Sequence, residues 1–305
     1  AIDPRTGGII AMVSTPSYDA NMFVGGISSK NYNALLRSPD RPLLNRSLQG
    51  QYAPGSTVKP IFGLAGLHYG LVTPESVVRD PGWYLLPGDK SKRRYRDWTW
   101  KTRRTGHAEF VAMEQAIVES CDTYFYDLAH QLGIDRMHDF TQAFGFGSKV
   151  GIDNTNERSG LLPSREGKRR YKRLPWYPGE TINAGIGQGY LLVTPLQLAT
   201  GVAALANRGV HVAPRLLKSR NGQDIPVPEL PPIEVDDAHW DFIIHAMSQV
   251  VHGAHGSAKV ISRGAKYKMA GKTGTAQVIG IAQDEEYDTD KIAARHRDNA
   301  LFVGF

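Results

Sequence analysis

The segment Gly55-Ser56-Thr57-Val58-Lys59-Pro60 places a hydroxyl and an amine three residues apart. Side chains at this spacing lie on one face of a helix and can touch. Gly55 ends the preceding loop and Pro60 is tolerated only close to a helix N-terminus, so Ser56 is predicted in or beside the first turn. A serine becomes a nucleophile when a base takes its proton, and a desolvated lysine can be that base. The pair alone indicates little, because Ser-x-x-Lys arises by chance roughly once in a chain of this size.

Two further short motifs follow the first one along the chain. Ser120-Cys121-Asp122 lies in a stretch with helical periodicity, and Lys272-Thr273-Gly274-Thr275 lies in a strand-like stretch near the end. The order Ser-x-x-Lys, Ser-x-Asp, Lys-Thr-Gly resembles that of the penicillin-recognising serine transpeptidases and β-lactamases. All three motifs in this order are a far rarer coincidence than any one of them.

The resemblance is closest to the class B penicillin-binding proteins, and it extends over nearly the whole chain. Ser120 to Tyr126 and Arg96-Asp97-Trp98 are similar to the elongation-type members in particular. The resemblance implies a peptidoglycan D,D-transpeptidase that cross-links stem peptides through a serine acyl-enzyme during cell elongation and is a target of β-lactams. The other segments that carry it are residues 3–7, 10–14, 44–46, 52–56, 185–189 and 194–199.

The resemblance implies a role for each motif residue. Ser56 is expected to attack the carbonyl between the two terminal D-alanines of a stem peptide, with Lys59 as general base, its pKa lowered by burial and a cationic neighbour. Ser120 is expected to relay a proton, and Lys272 to place positive charge beside the substrate carboxylate. The backbone N–H groups of Ser56 and Thr275 are expected to form an oxyanion hole, worth roughly 3 kcal/mol per donor.

Asp122 departs from the pattern, since relatives often carry asparagine at this position. An anion here can pair with Lys59 and hold it charged, so the resting protonation state of the lysine stays open. Thr273 and Thr275 are expected to offer hydroxyl groups to the substrate. Gly274 is expected to let the backbone come close to the ligand.

A second group of residues has the chemistry of a metal site. Cys121 is the single cysteine, so no internal disulfide can form, and it follows His107 by fourteen residues. Cysteine, histidine and carboxylates are zinc ligands, and four of them close a structural tetrahedral site. Two interpretations stay open: a structural zinc bound by Asp80, Asp97, His107 and Cys121, or a small buried cysteine beside solvated acids. No other cofactor is expected.

The glycine-rich segment 185–189 could be mistaken for a nucleotide-binding loop. The strand, turn and helix that such a loop requires are missing, and so is its partner acid. We expect this segment to allow close backbone packing near the wall of the site.

The motifs lie on a chain that is predicted to have strands at its two ends and helices between them. This arrangement predicts an α+β layer structure whose sheet is closed by distant segments. The resemblance implies a penicillin-binding protein transpeptidase or serine β-lactamase-like fold: an antiparallel sheet flanked by helices, with an all-helical subdomain. Helices are predicted from Ser56 and at 112–132, 134–144, 195–207 and 238–251. A hairpin is predicted at 1–15, strands at 267–279 and 299–305, loops with short strands at 74–108, and loops at 16–55, 148–180 and 284–290.

Residues 1–305 are predicted to form a single transpeptidase domain. Both ends fall inside predicted strands, so we expect a fragment truncated at both ends. No run of eighteen apolar residues occurs that could span a membrane. The resemblance implies a bacterial inner-membrane protein whose anchor and pedestal domain lie outside this sequence, with this domain in the periplasm.

The charge pattern bears on the partners. Net charge is +6, and basic residues cluster at 90–96, 101–104 and 168–173. Such patches suit solvated loops, anionic cell-wall polymer or membrane headgroups. They match no RNA- or DNA-binding module, so no nucleic-acid partner is expected. The resemblance implies peptidoglycan stem peptides and β-lactam antibiotics as ligands, and an elongation-complex glycosyltransferase and scaffold proteins as partners.

Two alternatives to transpeptidation stay open. A D,D-carboxypeptidase would pass the acyl group to water, and a non-catalytic β-lactam sensor domain would keep the acylation machinery for signalling. Class A β-lactamases carry a Glu-x-x-x-Asn pair that positions a deacylating water, and the chain has no such pair. Its absence favours transfer to an amine.

Overall fold

The structure is a computed structural model that describes residues 1–227, 230–278, 292–293 and 296–305. The predicted acidic loop at 284–290 lies outside the described residues. The α-helices are α1 (Ser29–Arg37), α2 (Arg46–Gln49), α3 (Lys59–His68), α4 (Thr99–Thr102), α5 (Met113–Val118), α6 (Asp122–Ala143), α7 (Arg165–Lys172), α8 (Pro178–Gly185), α9 (Pro195–Ala206) and α10 (Asp237–His252), with 3-10 helices at Ala20–Phe23 and Gly55–Val58.

The strands pair two by two, and every pair is antiparallel. The last pair is the longest and carries the Lys-Thr-Gly motif: Lys272 lies opposite Val303, and Thr275 lies opposite Ala300. The paired strands are β1 (Val77–Arg79) with β4 (Phe110–Ala112), β2 (Trp83–Leu85) with β3 (Arg94–Arg96), β5 (Ser219–Arg220) with β6 (Gln223–Asp224), and β7 (Gly271–Ala276) with β8 (Asn299–Gly304).

The core of the molecule surrounds α3. Every residue of this helix except His68 is buried, as expected for a helix that is apolar on all sides. It packs against α6 and α10, and Ile61, Leu64 and Ile117 are at most 1% exposed. The helix that follows the Ser-x-x-Lys motif is therefore held rigidly from every direction.

The predicted break between two helices near residue 133 is present. Gly133 has φ 70° and ψ 162°, a non-helical conformation inside α6. The structure adds a second break that the periodicity did not predict, because residues 119–121 separate α5 from α6. This break carries Ser120.

Three predictions about the elements were wrong. Residues 16–55 were expected to be loops, yet they contain α1, α2 and the 3-10 helix Ala20–Phe23. Residues 148–180 were also expected to be loops, yet they contain α7 and the first residues of α8. The sequence of α7 is charged almost all round, so it has no apolar periodicity to reveal a helix. Residues 1–15 were expected to form a hairpin, but only Ile2 and Ile9 form a bridge, and Gly8 pairs with Arg215 rather than with either terminal strand.

None of the helices in the described part of the chain combines the length and apolar character needed to cross a bilayer.

Candidate active site

Ser56 sits in the 3-10 turn Gly55–Val58, directly before α3. Glycine is required just before it, since Gly55 has φ +54° and an added Cβ would lie 2.5 Å from the carbonyl oxygen of Thr275. Gly187 packs on the other side, where its Cβ would lie 2.1 Å from the carbonyl oxygen of Gly55. The glycine-rich segment 185–189 thus provides close backbone packing, as predicted.

Lys59 is fully buried, and its Nζ is held by three hydrogen bonds. Its Nζ donates to Asp122 Oδ1 at 2.7 Å, to the carbonyl oxygen of Ser120 at 2.8 Å and to Ser120 Oγ at 3.4 Å. The anion at position 122 therefore pairs with Lys59, which is the arrangement that the sequence left open. In the described part of the chain, the side chains of Ser56 and Lys59 share no hydrogen bond, although their spacing allows contact.

Ser120 adopts a left-handed backbone conformation with φ 63°. Such a conformation costs a non-glycine residue about 1–2 kcal/mol and persists where the surrounding structure enforces it. Its effect is to turn the Ser120 hydroxyl toward both lysines, with Lys272 Nζ at 2.9 Å and Lys59 Nζ at 3.4 Å. This hydroxyl is the point where the two buried amines meet.

Lys272 is also fully buried, at the start of β7. Besides Ser120, its Nζ donates to the carbonyl oxygen of Thr273 at 3.2 Å. Burial, with the positive charge of Lys59 as a second cause, holds the pKa of Lys272 well below its usual value, while the charge of Asp122 opposes the shift. Sequence reasoning did not expect a lowered pKa at Lys272.

Thr273, Gly274 and Thr275 of β7 also lie at this site. Thr273 Oγ1 lies 2.8 Å from Ser257 Oγ, and the carbonyl oxygen of Thr275 accepts a hydrogen bond from Gln188 Nε2 at 2.9 Å. Gly274 was expected to let the backbone come close to a ligand, and it lines the cavity described below. It also packs closely on Thr57, whose Cγ2 would lie 2.7 Å from an added Cβ.

Ser56, Ser120 and the two threonines of β7 line one cavity of about 620 Å³. Its basic lining comes from two of the clusters seen in the sequence, 90–96 and 101–104, whereas the third cluster lies in α7. Sequence reasoning found the three motifs but missed Glu119, Asn183 and Ser257, because these lining residues belong to no motif. Ile186 and Gln188 also line the cavity, and both lie in the glycine-rich segment that had been singled out. The motif residues in the lining are Ser56, Ser120, Asp122, Thr273, Gly274 and Thr275.

The structure also brings together all four predicted metal ligands. One ligand atom from each of Asp80, Asp97, His107 and Cys121 lies within 4.8 Å of the other three. Asp80 Oδ2 is 3.0 Å from His107 Nδ1 and 3.4 Å from Cys121 Sγ, and Asp97 Oδ2 is 3.8 Å from His107 Nδ1. Ligands on a tetrahedral zinc are separated by roughly 3.3–3.8 Å, given bonds of about 2.0–2.3 Å. The donor types suit zinc, and the separations here, from 3.0 Å up to at most 4.8 Å, bracket this range.

Burial makes this cluster electrostatically unusual. Burial, and then the charge of Asp122, raise the pKa of Asp97, and burial together with the two nearby carboxylates raises the pKa of the Cys121 thiol well above its usual value. Burial disfavours the charged form of His107, but Asp80 and Asp97 outweigh it and raise its pKa. His107 Nε2 is buried and, among the described residues, has no hydrogen-bond partner.

The comparisons with known proteins identify the family. The family described as "Penicillin binding protein transpeptidase domain" matches residues 1–305. The chain therefore belongs to the penicillin-binding protein transpeptidase family. The predicted fold class and the resemblance to elongation-type members are confirmed by this match and by the relatives that follow.

Three relatives illustrate the similarity. The chain is 44% identical over 308 residues to the peptidoglycan D,D-transpeptidase MrdA of Escherichia coli (strain K12), covering 99% of this chain and 48% of that protein. The crystal structure of Pseudomonas aeruginosa PBP2 in complex with WCK 5153 is 52% identical, with a TM-score of 0.88 over 100% of this chain and 62% of that one. Helicobacter pylori PBP2 in complex with MreC is 30% identical, with a TM-score of 0.85 over 100% and 52%. The chain thus spans about half the length of the curated relative.

Proposed function

We propose that this chain is the catalytic domain of a peptidoglycan D,D-transpeptidase that cross-links stem peptides through an acyl-enzyme on Ser56. The observation that carries the proposal is the meeting of two buried lysines on the Ser120 hydroxyl, at the wall of the cavity that Ser56 lines. A nucleophile in such a cavity needs a base, and an amine can be one only if it is neutral.

Burial lowers the pKa of Lys272, and this shift favours a neutral amine at Lys272. The Ser120 hydroxyl gives its proton to Lys272 Nζ and takes one from the Lys59 ammonium. Lys59 is then neutral and removes the proton of Ser56 as Ser56 Oγ attacks the D-alanyl carbonyl carbon. The charge that started on Lys59 now lies on Lys272, beside the hydroxyl groups of Thr273 and Thr275, where it stabilises the substrate carboxylate.

The same groups serve the rest of the reaction. The backbone N–H groups of Ser56 and Thr275, which Gly55 allows to approach each other, are proposed to bind the oxyanion of the tetrahedral intermediate. Ser120 gives a proton to the departing D-alanine nitrogen, and the acyl group stays on Ser56. An amine of a second stem then attacks the acyl carbon and releases Ser56.

Intact-mass analysis of the full-length protein after exposure to penicillin tests this proposal. We expect one adduct on the peptide that contains Ser56, and none on a Ser56→Ala variant. A Ser164→Ala variant, which loses only the cap of α7, is the matched control and should be labelled fully. Labelling of Ser56→Ala would overturn the proposal.

A stem-peptide substrate separates the alternatives. A transpeptidase yields cross-linked dimer, a D,D-carboxypeptidase yields only free D-alanine, and a sensor domain yields neither while still binding penicillin. We expect the dimer.

We also propose that Asp80, Asp97, His107 and Cys121 hold a structural zinc. Zinc would neutralise the buried carboxylates and tie the segment 80–107 to the start of α6, and it takes no part in the acyl transfer. The spacing of the ligand atoms and the unpartnered His107 Nε2 support this. Metal analysis of protein purified without a histidine tag should give about one zinc per chain, and far less in Cys121→Ser. Equal zinc in both would overturn the proposal.

The membrane location and the partners are proposed from relatives. A complex of a similar protein with MreC is known from Helicobacter pylori. We propose that the parent protein is anchored in the bacterial inner membrane, holds this domain in the periplasm, and works with an elongation-complex glycosyltransferase and scaffold proteins. Retention of the full-length protein on immobilised MreC from the same cell would support this, and its absence would count against it.

A further inference from the structure

The two backbone N–H groups proposed to bind the oxyanion lie on different parts of the chain. Ser56 belongs to the 3-10 turn Gly55–Val58, and Thr275 belongs to β7. In the described part of the chain, no hydrogen bond joins this turn directly to β7. The relative orientation of the two N–H groups therefore depends on packing and on any third segment that bonds to both.

The register of β7 shows which way Thr275 faces. Ala270 and Phe305 exchange both backbone hydrogen bonds, each at 2.9 Å. In an antiparallel pair, residues that bond across alternate with residues that do not, and Thr275 follows Ala270 by an odd number of residues. Its N–H and C=O groups therefore both point away from β8. They face the Ser56 turn, because an added Cβ on Gly55 would lie 2.5 Å from the carbonyl oxygen of Thr275.

Gln188 bonds to this edge of β7. Its Nε2 donates to the carbonyl oxygen of Thr275 at 2.9 Å, on the same edge as the Thr275 N–H. The preceding residue bonds to the turn, because the carbonyl oxygen of Gly187 accepts the backbone N–H of Gly55 at 2.9 Å. Two consecutive residues thus bond to both parts of the chain that carry the oxyanion donors.

The segment that carries Gln188 is itself held in place. The backbone N–H of Gln188 donates to the carbonyl oxygen of Asn183 at 3.0 Å, which ties the segment to the end of α8. This helix packs closely on α6, where a Cβ on Gly185 would lie 2.3 Å from Ala129 Cβ. The side chain of Gln188 therefore extends from a rigid base, as a group that positions another one requires.

We propose that Gln188 is a positioning residue of the acyl-transfer site. It holds the backbone of Thr275 in the orientation in which the N–H groups of Thr275 and Ser56 point at one oxyanion. Oxyanion donors are effective because they are fixed before the charge develops, so a small displacement of the strand edge lowers the rate. Gln188 acts through Thr275 rather than on the reacting atoms. This inference rests on the proposed function, since it adds a residue to that same site.

Binding of a boronic acid tests the geometry of the oxyanion hole. Ser56 Oγ adds to the boron atom, the Ser56 proton goes to the general base, and one boron-bound oxygen lies between the two N–H groups. The variant Gln188→Met keeps the length of the side chain and removes its donor. We expect it to weaken binding of the boronic acid analogue of D-alanine to the full-length protein about tenfold.

Kinetics with penicillin separate positioning from substrate contact. In Gln188→Met the acylation rate constant should also fall about tenfold, because the displaced N–H stabilises the transition state less well. The dissociation constant of the non-covalent penicillin complex should change by less than about twofold, since the ground state does not depend on the oxyanion.

A carboxyl group in place of the amide provides a pH-dependent test. When protonated, it can donate to the Thr275 carbonyl oxygen as the amide does, and when ionised, it repels that oxygen. The boronic acid affinity of Gln188→Glu, divided by that of the wild type, should therefore rise as pH falls from about 8 to about 5. A side chain that only stabilises the fold would give a constant ratio.

Gln131 provides the matched control. It is an exposed glutamine on α6 that donates to Asp127 Oδ2 at 2.7 Å, as Gln188 donates to Thr275. Gln131→Met should keep the wild-type affinity for the boronic acid and the wild-type acylation rate constant.

The outcomes separate the two proposals. If penicillin forms no adduct on Ser56 of the wild type, the proposed function is overturned and this inference with it. If the adduct forms but Gln188→Met keeps the wild-type affinity for the boronic acid, the inference alone is overturned. A loss confined to the dissociation constant of penicillin, or a constant affinity ratio across pH in Gln188→Glu, likewise overturns the positioning role.

Discussion

Two polar clusters lie on opposite sides of the start of α6, and their charges are unbalanced in opposite directions. On the active-site side, two lysines face the single carboxylate of Asp122. On the other side, two carboxylates face the single imidazole of His107. Buried charge is stable only when it is compensated. The excess of lysines in the first cluster favours an anionic ligand, and the excess of carboxylates in the second favours a cation.

The two clusters are also mechanically connected. Asp97 Oδ2 accepts the backbone N–H groups of Asp122 and Thr123, and Asp122 Oδ2 accepts the backbone N–H of Trp98. The carboxylate that pairs with Lys59 is therefore fixed by the segment that carries Asp97, a member of the second cluster. A substitution in one cluster should therefore also alter the position of the charged groups in the other.

The largest effect is expected from Lys59→Met. The variant removes the base and leaves Asp122 without its partner, so the rate of acylation by a fluorescent penicillin should fall at least about 10³-fold in single-turnover kinetics. A loss below tenfold would contradict the role of Lys59.

Lys168 provides the matched control for a buried lysine. It pairs with Glu180 and lies over the ring of Tyr177, away from the active site. Lys168→Met should lower the midpoint of thermal unfolding by about 5 °C, as breaking a buried ion pair does. Acylation per folded molecule should stay at the wild-type rate.

Removal of the cation is expected to act mainly on stability. Chelation should lower the unfolding midpoint of the wild type by about 5–10 °C, because the buried carboxylates of Asp80 and Asp97 then lose their counter-ion. The Cys121→Ser variant should start near that lower midpoint and change little on chelation. If the unfolding midpoint of the wild type does not change when the chelator is added, the cluster is stable without a cation.

The pH profile of acylation tests the exchange of charge between the lysines. The reaction needs neutral Lys272, so the rate should fall as pH drops through the lowered pKa of this residue. The charge of Asp122 raises that pKa, so Asp122→Asn should lower it further and move the acidic limb to lower pH. The readout is the acylation rate across pH, and a limb that moves to higher pH would assign it to another group.

The smallest effect is expected from Ser257→Ala. Its hydroxyl bonds only to the Thr273 hydroxyl among the described groups at the site, so losing it should weaken donor binding about fivefold with little change in the acylation rate constant. Ser257→Thr, which keeps the hydroxyl, should restore the binding. An equal loss in both variants would assign the effect to packing.

The sequence was sufficient to predict what lies in short motifs with strong local rules. Pro60 placed Ser56 at a helix start, and Gly133 marked a real break in α6. The structure also brings together the four residues that the sequence proposed as metal ligands. Their binding of a zinc ion stays a prediction.

What the sequence could not predict depends on contacts between distant segments. Nothing local indicates that Ser120 takes a positive φ, or that the pKa of Lys272 is lowered, because both follow from packing against segments more than sixty residues away. The helix α7 was missed because its single buried anchor, Lys168, looks like any other basic residue in the chain.

The close backbone packing around Ser56 limits how this protein can change under selection. Gly55 and Gly187 both have positive φ, and a Cβ on either would overlap a backbone carbonyl. A substitution at either position would displace Ser56 and, under the proposed function, is expected to abolish acyl transfer and antibiotic binding together. Variants that escape a β-lactam are therefore expected to map to the rim of the cavity, in the segment 93–104, where side chains can vary and the bacterium still keeps its cell wall.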